Sequence, residues 1–187
     1  MTELKPITAL GAVAPRVLET VRYSLRENDG VAFASLVLPA DRPAPAVFGI
    51  DLPEPGKYAQ GDAGKSAFWT ARHQWMIEGA SLAETDFAAA LKAELPEGRV
   101  SEQTDGWITF DIFGTKPEAI TALLERIVNL PAATLDPGCA TRTSFEHMSA
   151  YFVRRSDTHL SVIGMRTLAG SLWHALETVI RRLDVDG

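Results

Sequence analysis

The sequence predicts an α+β fold in which antiparallel sheets pack against helices. Three observations predict it. Two Asp-Gly pairs, Asp29-Gly30 and Asp105-Gly106, each separate two apolar-rich runs, as in strand pairs joined by tight turns. Three segments carry apolar residues at helical spacing, and two of them open on a Ser/Thr-x-x-Glu pattern, whose side chains satisfy the first amides of a helix. Strand patterns come in pairs with helices between them, which is the order of an α+β chain rather than of a doubly wound parallel sheet.

Taken in order, Val17, Val21, Tyr23 and Leu25 share one face of an extended run, and Val31, Phe33 and Val37 share a face of the next. Asn28-Asp29-Gly30 between them predicts an N-terminal hairpin. Pro39, Pro43, Pro45, Pro53 and Pro55, followed by Gly56, Gly61 and Gly64, make Pro39 to Ser66 a long irregular excursion with one helical turn near Val47 to Ile50. The aromatic run Phe68 to Ile77 reads as strand. Ser81 and Glu84 form a capping-box pattern before Phe87, Leu91 and Leu95, and Pro96-Glu97-Gly98 stops the run, so a helix spans Leu82 to Leu95. Arg99–Thr104 and Trp107–Phe113 flank Asp105-Gly106 as a second hairpin. Thr115 and Glu118 repeat the capping pattern before Ile120, Leu123, Leu124 and Ile127, which predicts a helix from Lys116 to Asn129. Ser149–Val153 and Thr158–Met165 are strands joined by the polar loop Arg154 to Asp157. A helix from Thr167 to Leu183 closes the chain. Leu168, Leu172, Leu176, Val179 and Leu183 form its apolar stripe, and Ser171, His174, Glu177, Thr178, Arg181 and Arg182 its wet face.

The 187 residues are 46% apolar and 22% charged. That is ordinary for a globular protein and long enough for a sizeable core. The expected organisation is a single compact chain, 1–187, with two interlocked α+β subdomains of about 1–97 and 98–187 as its internal division. Lysine and arginine total 18 against 24 aspartates and glutamates, a net charge of −6, which argues against nucleic acid and anionic membrane as partners. The opening Met1 to Pro6 lacks a secretory pattern, and the longest nearly apolar stretch, Val31 to Leu38, is far shorter than the ~20 residues of a membrane helix. A cytoplasmic location is expected.

Chemical motifs are few. Ala59-Gln60-Gly61-Asp62-Ala63-Gly64-Lys65-Ser66 fits a relaxed phosphate-binding loop. That chemistry needs a buried strand before the loop and a helix after it; neither is predicted here, so a polar surface loop is expected. His73, His147, His159 and His174 make no metal-ligand spacing, and the single cysteine, Cys139, completes no ligand set. His147 and His159 are expected in satisfied polar roles near the last hairpin, and Cys139 in packing. Ser171 lacks the nucleophile-elbow glycine because Trp173 takes its place. No G-x-G-x-x-G motif is present, which argues against a flavin or NAD held by this chain alone in a Rossmann site. Trp69, Trp75, Trp107 and Trp173 divide between core packing and a protein interface.

Several segments resemble one family. Val100-Ser101-Glu102-Gln103-Thr104-Asp105-Gly106-Trp107 resembles the D-Q-S/T-x-G-W strand of the sarcosine oxidase gamma subunit family. Gly114 stands where that family has a strand-ending glycine. Pro137-Gly138-Cys139-Ala140-Thr141-Arg142-Thr143 is similar to its G-x-x-x-R-T segment, and Arg166 to Trp173 to its closing R-S-x-A-x-S-L-W signature. Phe68-Trp69-Thr70 with Gln74-Trp75-Met76-Ile77 resembles its L-W-x-G-P-D-E-W-L-L strand, although Thr70 to His73 replace the G-P-D turn and Thr167 replaces a serine. The resemblance runs from Phe68 to Leu176.

It implies a T-protein-like folate-binding-domain fold. It also implies a non-catalytic gamma subunit of a heterotetrameric, flavin-dependent sarcosine oxidase, which supports oxidative demethylation of sarcosine to glycine. The implied partners are the alpha subunit, with beta and delta in the complex. FAD, FMN and NAD belong to partner subunits, none to this chain, and tetrahydrofolate to the complex. No catalytic residues are expected here. Arg142, Arg166, Trp75, Trp107 and Trp173 are expected in interface or structural roles. The alternative is a stand-alone folate-binding or aminomethyltransferase-like protein, for which Glu102 or Asp105 supplies the acidic group.

Overall fold

The computed structural model describes residues 7–40 and 44–185. The reading of Met1 to Pro6, and Pro43 within the excursion, lie outside the described residues. The strands are β1 Val17–Glu19, β2 Tyr23–Asn28, β3 Ala32–Val37, β4 Tyr58–Gln60, β5 Lys65–Ala71, β6 Gln74–Gly79, β7 Arg99–Glu102, β8 Trp107–Gly114, β9 Ala140–Phe145, β10 Met148–Ser156 and β11 His159–Met165. The helices are α1 Phe87–Glu94, α2 Pro117–Ile127 and α3 Ala169–Val185.

A six-stranded sheet runs β1-β2-β8-β11-β10-β9 and a five-stranded sheet β4-β5-β6-β3-β7. Every pairing is antiparallel. Alternate residues of a strand face opposite sides of its sheet, and here both sides are covered. On the outer face of the large sheet, Phe110, Ile112, Phe152 and Val162 pack with Ile120 and Leu123 of α2 and Leu172 and Leu176 of α3. On the outer face of the small sheet, Leu36, Ala67 and Ile77 pack with Phe87 and Leu91 of α1. The inner faces meet on Phe33, Phe68, Met76, Tyr151, Val153 and Ile163. Each large side chain so buried contributes about 1.5–3 kcal/mol. The layers are thus a helix pair, the large sheet, the small sheet and a single helix.

The α+β class, the antiparallel pairing, the β10–β11 hairpin and the closing helix follow the sequence reading. Several elements do not. Neither Asp-Gly pair makes a hairpin. Asn28 to Gly30 carries the chain from β2 in the large sheet to β3 in the small one, and Thr104 to Gly106 carries it back from β7 to β8. Neither Gly30 nor Gly106 adopts a positive φ, as a type I′ turn requires. Positive φ at two successive residues occurs instead at Glu146-His147, at 47° and 66°, between β9 and β10, and at Phe48-Gly49 and Ala63-Gly64. Long-range pairing of β2 with β8 overrides the local turn signal.

The run from Val17 to Leu25 is itself a hairpin, β1–β2. Phe68 to Ile77 is two strands, turning at Arg72-His73 with His73 at φ 58°. Within the excursion, Val47 and Ile50 bridge across a tight turn at Phe48-Gly49, not a helical one, and β4 supplies a short strand. The predicted capping boxes do not form. Ser81 has φ 58°, and α1 is capped by Asp86, which accepts from the Ala89 amide at 2.9 Å. Lys116, without a side-chain cap, precedes Pro117 in α2. Arg154 and Arg155 belong to β10, and β9 was absent from the expected elements. On α3, Trp173 and Ile180 are buried, while Leu168 and Val179 of the expected stripe are only partly so.

Candidate functional site

Towards one end of the inter-sheet space the apolar packing gives way to a polar floor, which opens as a cleft of about 200 Å³. Its side chains come from both sheets because the pleat of β2, β8, β10 and β11 turns Asn28, Asp111, Arg155 and Ser161 inward, towards Ser66 and Glu78 on β5 and β6. Glu78 is buried. Arg155 donates to it through both terminal nitrogens, Nη1 to Oε2 and Nη2 to Oε1, each at 2.7 Å, and Ser66 Oγ donates to Oε2 at 2.6 Å. Arg155 Nε donates to Ser161 Oγ at 3.0 Å. Ser161 passes the chain on, donating to Asp111 Oδ1. His159 Nε2 lies 2.9 Å from the same oxygen, and Asn28 Nδ2 donates to Oδ2 at 2.7 Å. One continuous hydrogen-bond relay thus ties the small sheet to the large one.

The electrostatics follow from this geometry. Burial alone pushes the Asp111 carboxyl up, but the bonds from His159, Ser161 and Asn28 outweigh it and hold the group below the usual carboxylate range. For Arg155, burial disfavours the charge, and the Glu78 carboxylate more than restores it, raising the guanidinium above its ordinary value. The Arg155 guanidinium lies 4.5 Å over the Tyr58 ring, a cation–π contact strengthened by desolvation. His159 stacks on Phe113 with centroids 4.2 Å apart. Thr109 Oγ1, also at the cleft, has no hydrogen-bond partner among the described residues.

The arrangement joins the two sheets rather than activating a nucleophile. In a serine–histidine pair the hydroxyl hydrogen-bonds to the imidazole. Here Ser161 and His159 both bond to Asp111 Oδ1, and the Ser161 oxygen already accepts from Arg155.

The Gly-Lys-Ser segment reaches the rim of this cleft as the β4–β5 hairpin. Its amides are turned inward: Gly61 N–H donates to Lys65 O and Lys65 N–H to Asp62 O. A strand, β5, follows instead of a helix, so the loop forms no phosphate cradle. Lys65 Nζ lies 5.1 Å over Phe48.

The residues expected at an interface separate. Trp75 and Trp173 are buried, and each indole N–H is satisfied internally, by Pro53 O and Glu177 Oε2, both at 2.8 Å. Trp107 and Arg166 line one groove beside the β7–β8 crossing, where Arg166 Nη2 donates to Ile7 O at 3.0 Å. Arg142 lies in a second groove with Lys57, Trp69 and Tyr151. Its guanidinium sits 5.6 Å over Tyr151; burial raises the phenol pKa and Arg142 partly offsets that. Cys139 is buried in the same region, with Lys57 Nζ at 3.5 Å from its sulfur.

Glu102, named for a folate acid, is committed to a turn. Its carboxylate accepts from the Gln103, Thr104 and Ala88 amides and the Thr104 hydroxyl. Burial raises its pKa, and these bonds overcome that and lower it. Asp105 is exposed on the same turn. The relay itself went unseen in the sequence, where Glu78, Asp111 and the Arg155–Ser161 pair are far apart; the available signal was a charged residue inside each of two apolar strand patterns, Ile77-Glu78 and Phe110-Asp111-Ile112.

No protein-family model matches the chain, and no curated protein matches it in sequence. Solved structures do match in shape. A chain of the heterotetrameric sarcosine oxidase from Corynebacterium sp. U-96, in complex with pyrrole 2-carboxylate, superposes with a TM-score of 0.72 at 16% identity, over 90% of this chain and 88% of that one. The glycine cleavage system aminomethyltransferase T from Bartonella henselae superposes with a TM-score of 0.51 at 13% identity, over 80% of this chain but 44% of that one. The likeness is one of fold. The chain has the T-protein-like folate-binding-domain architecture, antiparallel sheets with packed helices, that these proteins share. Among the described residues no helix is long and apolar enough to cross a membrane.

Proposed function

We propose that this chain is a non-catalytic, gamma-type subunit of a flavin-dependent heterotetrameric sarcosine oxidase or a close relative. One observation carries the reading: the fold match to a chain of such an oxidase spans nearly all of both chains, 90% of this one and 88% of the other. The match to the aminomethyltransferase covers 44% of that protein. The motif series from Phe68 to Leu176 supports the same assignment. In this reading the alpha subunit is the direct partner, beta and delta complete the complex, FAD, FMN and NAD sit in those partners, and the assembly works in the cytoplasm. The groove holding Trp107 and Arg166 and the one holding Arg142 are the faces offered to the partner. The inter-sheet relay holds the two sheets in fixed relation, so that those faces keep their geometry.

Co-expression with the neighbouring genes tests the proposal. The expected result is co-purification with a larger, yellow flavoprotein subunit that oxidises sarcosine. Purification of this chain alone under those conditions overturns it. Titrating tetrahydrofolate into the isolated chain separates the folate-binding alternative, which requires micromolar binding.

A further inference from the structure

Arg154 is buried, at 5% exposure, on the face of β10 opposite the relay. Its Nη2 donates to Asp157 O at 2.6 Å, but Nε and Nη1 have no partner among the described residues. An arginine side chain keeps its charge in proteins and carries five N–H donors, and buried donors without acceptors are costly. Burial lowers the pKa of this group, and Asp157 and Asp136 raise it only in part.

The guanidinium borders a pocket of about 240 Å³ beneath the C-terminal half of α2. Leu124, Val128, Leu130 and Leu135 supply apolar walls, and Glu125, Asp136 and Asp157 are exposed acids around them. The Val128 to Pro137 side of the pocket holds only the 3-10 turn Ala132–Thr134, so it yields more readily than a strand or helix.

These features select an occupant. The unmet donors call for an oxygen acceptor. Three acids to one arginine repel an anion, so the acceptor is a neutral carbonyl. The walls take an apolar side chain, and the acids take a cation. We propose that this pocket docks an extended segment of a partner polypeptide: an apolar side chain in the pocket, a main-chain carbonyl accepting from Arg154, and a basic side chain against Glu125, Asp136 or Asp157. The site is separate from the grooves assigned to the subunit interface and does not depend on that assignment.

The test uses the full chain and two synthetic peptides, N-acetyl-Leu-Lys-Lys-amide and N-acetyl-Leu-Glu-Glu-amide. The readout is the Arg154 Nε–H resonance in a nitrogen–proton correlation spectrum, identified by its loss in Arg154→Lys. The basic peptide shifts that resonance with a dissociation constant on the order of 1 mM, and the acidic one leaves it in place. Glu125→Gln and Asp136→Asn, both exposed and outside the packed core, each weaken the basic peptide by up to about fivefold. The proposal is overturned by an unmoved resonance at about ten times that concentration, by equal shifts from both peptides, or by a shift with inorganic phosphate, which marks an anion site. Failure of the chain to co-purify with a flavoprotein leaves this result untouched.

Discussion

Replacing Glu78 by glutamine tests the inter-sheet relay most directly. The glutamate side chain is 3% exposed and that of its partner Arg155 13%. Each carboxylate oxygen takes one arginine nitrogen at 2.7 Å, and Oε2 also takes Ser66 at 2.6 Å. Glutamine keeps the length and one acceptor but turns an NH2 group towards a donor, and it leaves the guanidinium unpaired between two sheets. Breaking a buried pair in this way costs about 3–5 kcal/mol, a large share of the roughly 5–15 kcal/mol that holds a typical domain together. With a urea slope of about 2 kcal/mol/M, the unfolding midpoint falls by about 1.5–2.5 M. Urea titration followed by circular dichroism and tryptophan fluorescence measures it. The double variant Glu78→Gln with Arg155→Met removes the stranded charge and recovers part of the loss. A single variant that loses under about 1 kcal/mol, as a solvated surface pair does, would show that the relay does not join the sheets as described.

Three further outcomes are expected. Asp111 has a folded-state pKa below its unfolded value, so its stabilisation is complete above about pH 4 and is lost as the pH falls through the depressed folded value; Asp111→Asn flattens that acid limb in a pH series of thermal melts, and an unchanged limb contradicts the assignment. Asp86→Ala removes the α1 cap and costs about 1 kcal/mol, while Ser81→Ala, at the position of the expected cap that does not form, changes stability by less than about 0.5 kcal/mol; denaturant midpoints distinguish them. A Cβ on Gly79 meets Leu82 Cδ1 and Phe87 Cε2 at 2.8 Å, whereas one on Gly106 has only Gln103 Oε1 at 3.9 Å; Gly79→Ala therefore destabilises by about 1–3 kcal/mol, and thermal unfolding of Gly106→Ala shows no comparable loss.

The class of the fold was legible because its signals are local. The stripe on α3, the α2 apolar positions and the alternation in β8 survive in the structure nearly as read. What failed was the assignment of partners. Asp29-Gly30 carries strong turn chemistry, yet β2 finds β8 over 80 residues away, with Leu25 opposite Ile112 and Tyr23 opposite Gly114. That choice rests on which faces can be buried together, and a single strand does not reveal it. The capping boxes failed for a related reason: Ser81 is drawn into a left-handed turn, where it cannot cap, and the amides pass to Asp86. The relay escaped for the most basic reason. Its members lie on strands from both sheets, and nothing in the spacing of Ser66, Asp111 and Arg155 announces that they meet.

The two passages of the chain between sheets, at Asn28 to Gly30 and again at Thr104 to Gly106, govern how the protein can be made. The large sheet takes β1 and β2 from the beginning of the chain and its other four strands from the end. During synthesis, β2 emerges long before β8 exists to pair with it, and its inward-facing residues wait uncovered. The small sheet lacks β7 until residue 102 has been added. Folding must close loops of many tens of residues before the central pairings form, a demand that places such chains among the slower folders. Separate fragments 1–97 and 98–187 each inherit an incomplete large sheet. Circular dichroism is expected to show each fragment unfolded alone and native-like structure only on mixing, the behaviour of a chain that is translated in sequence but folds as a whole.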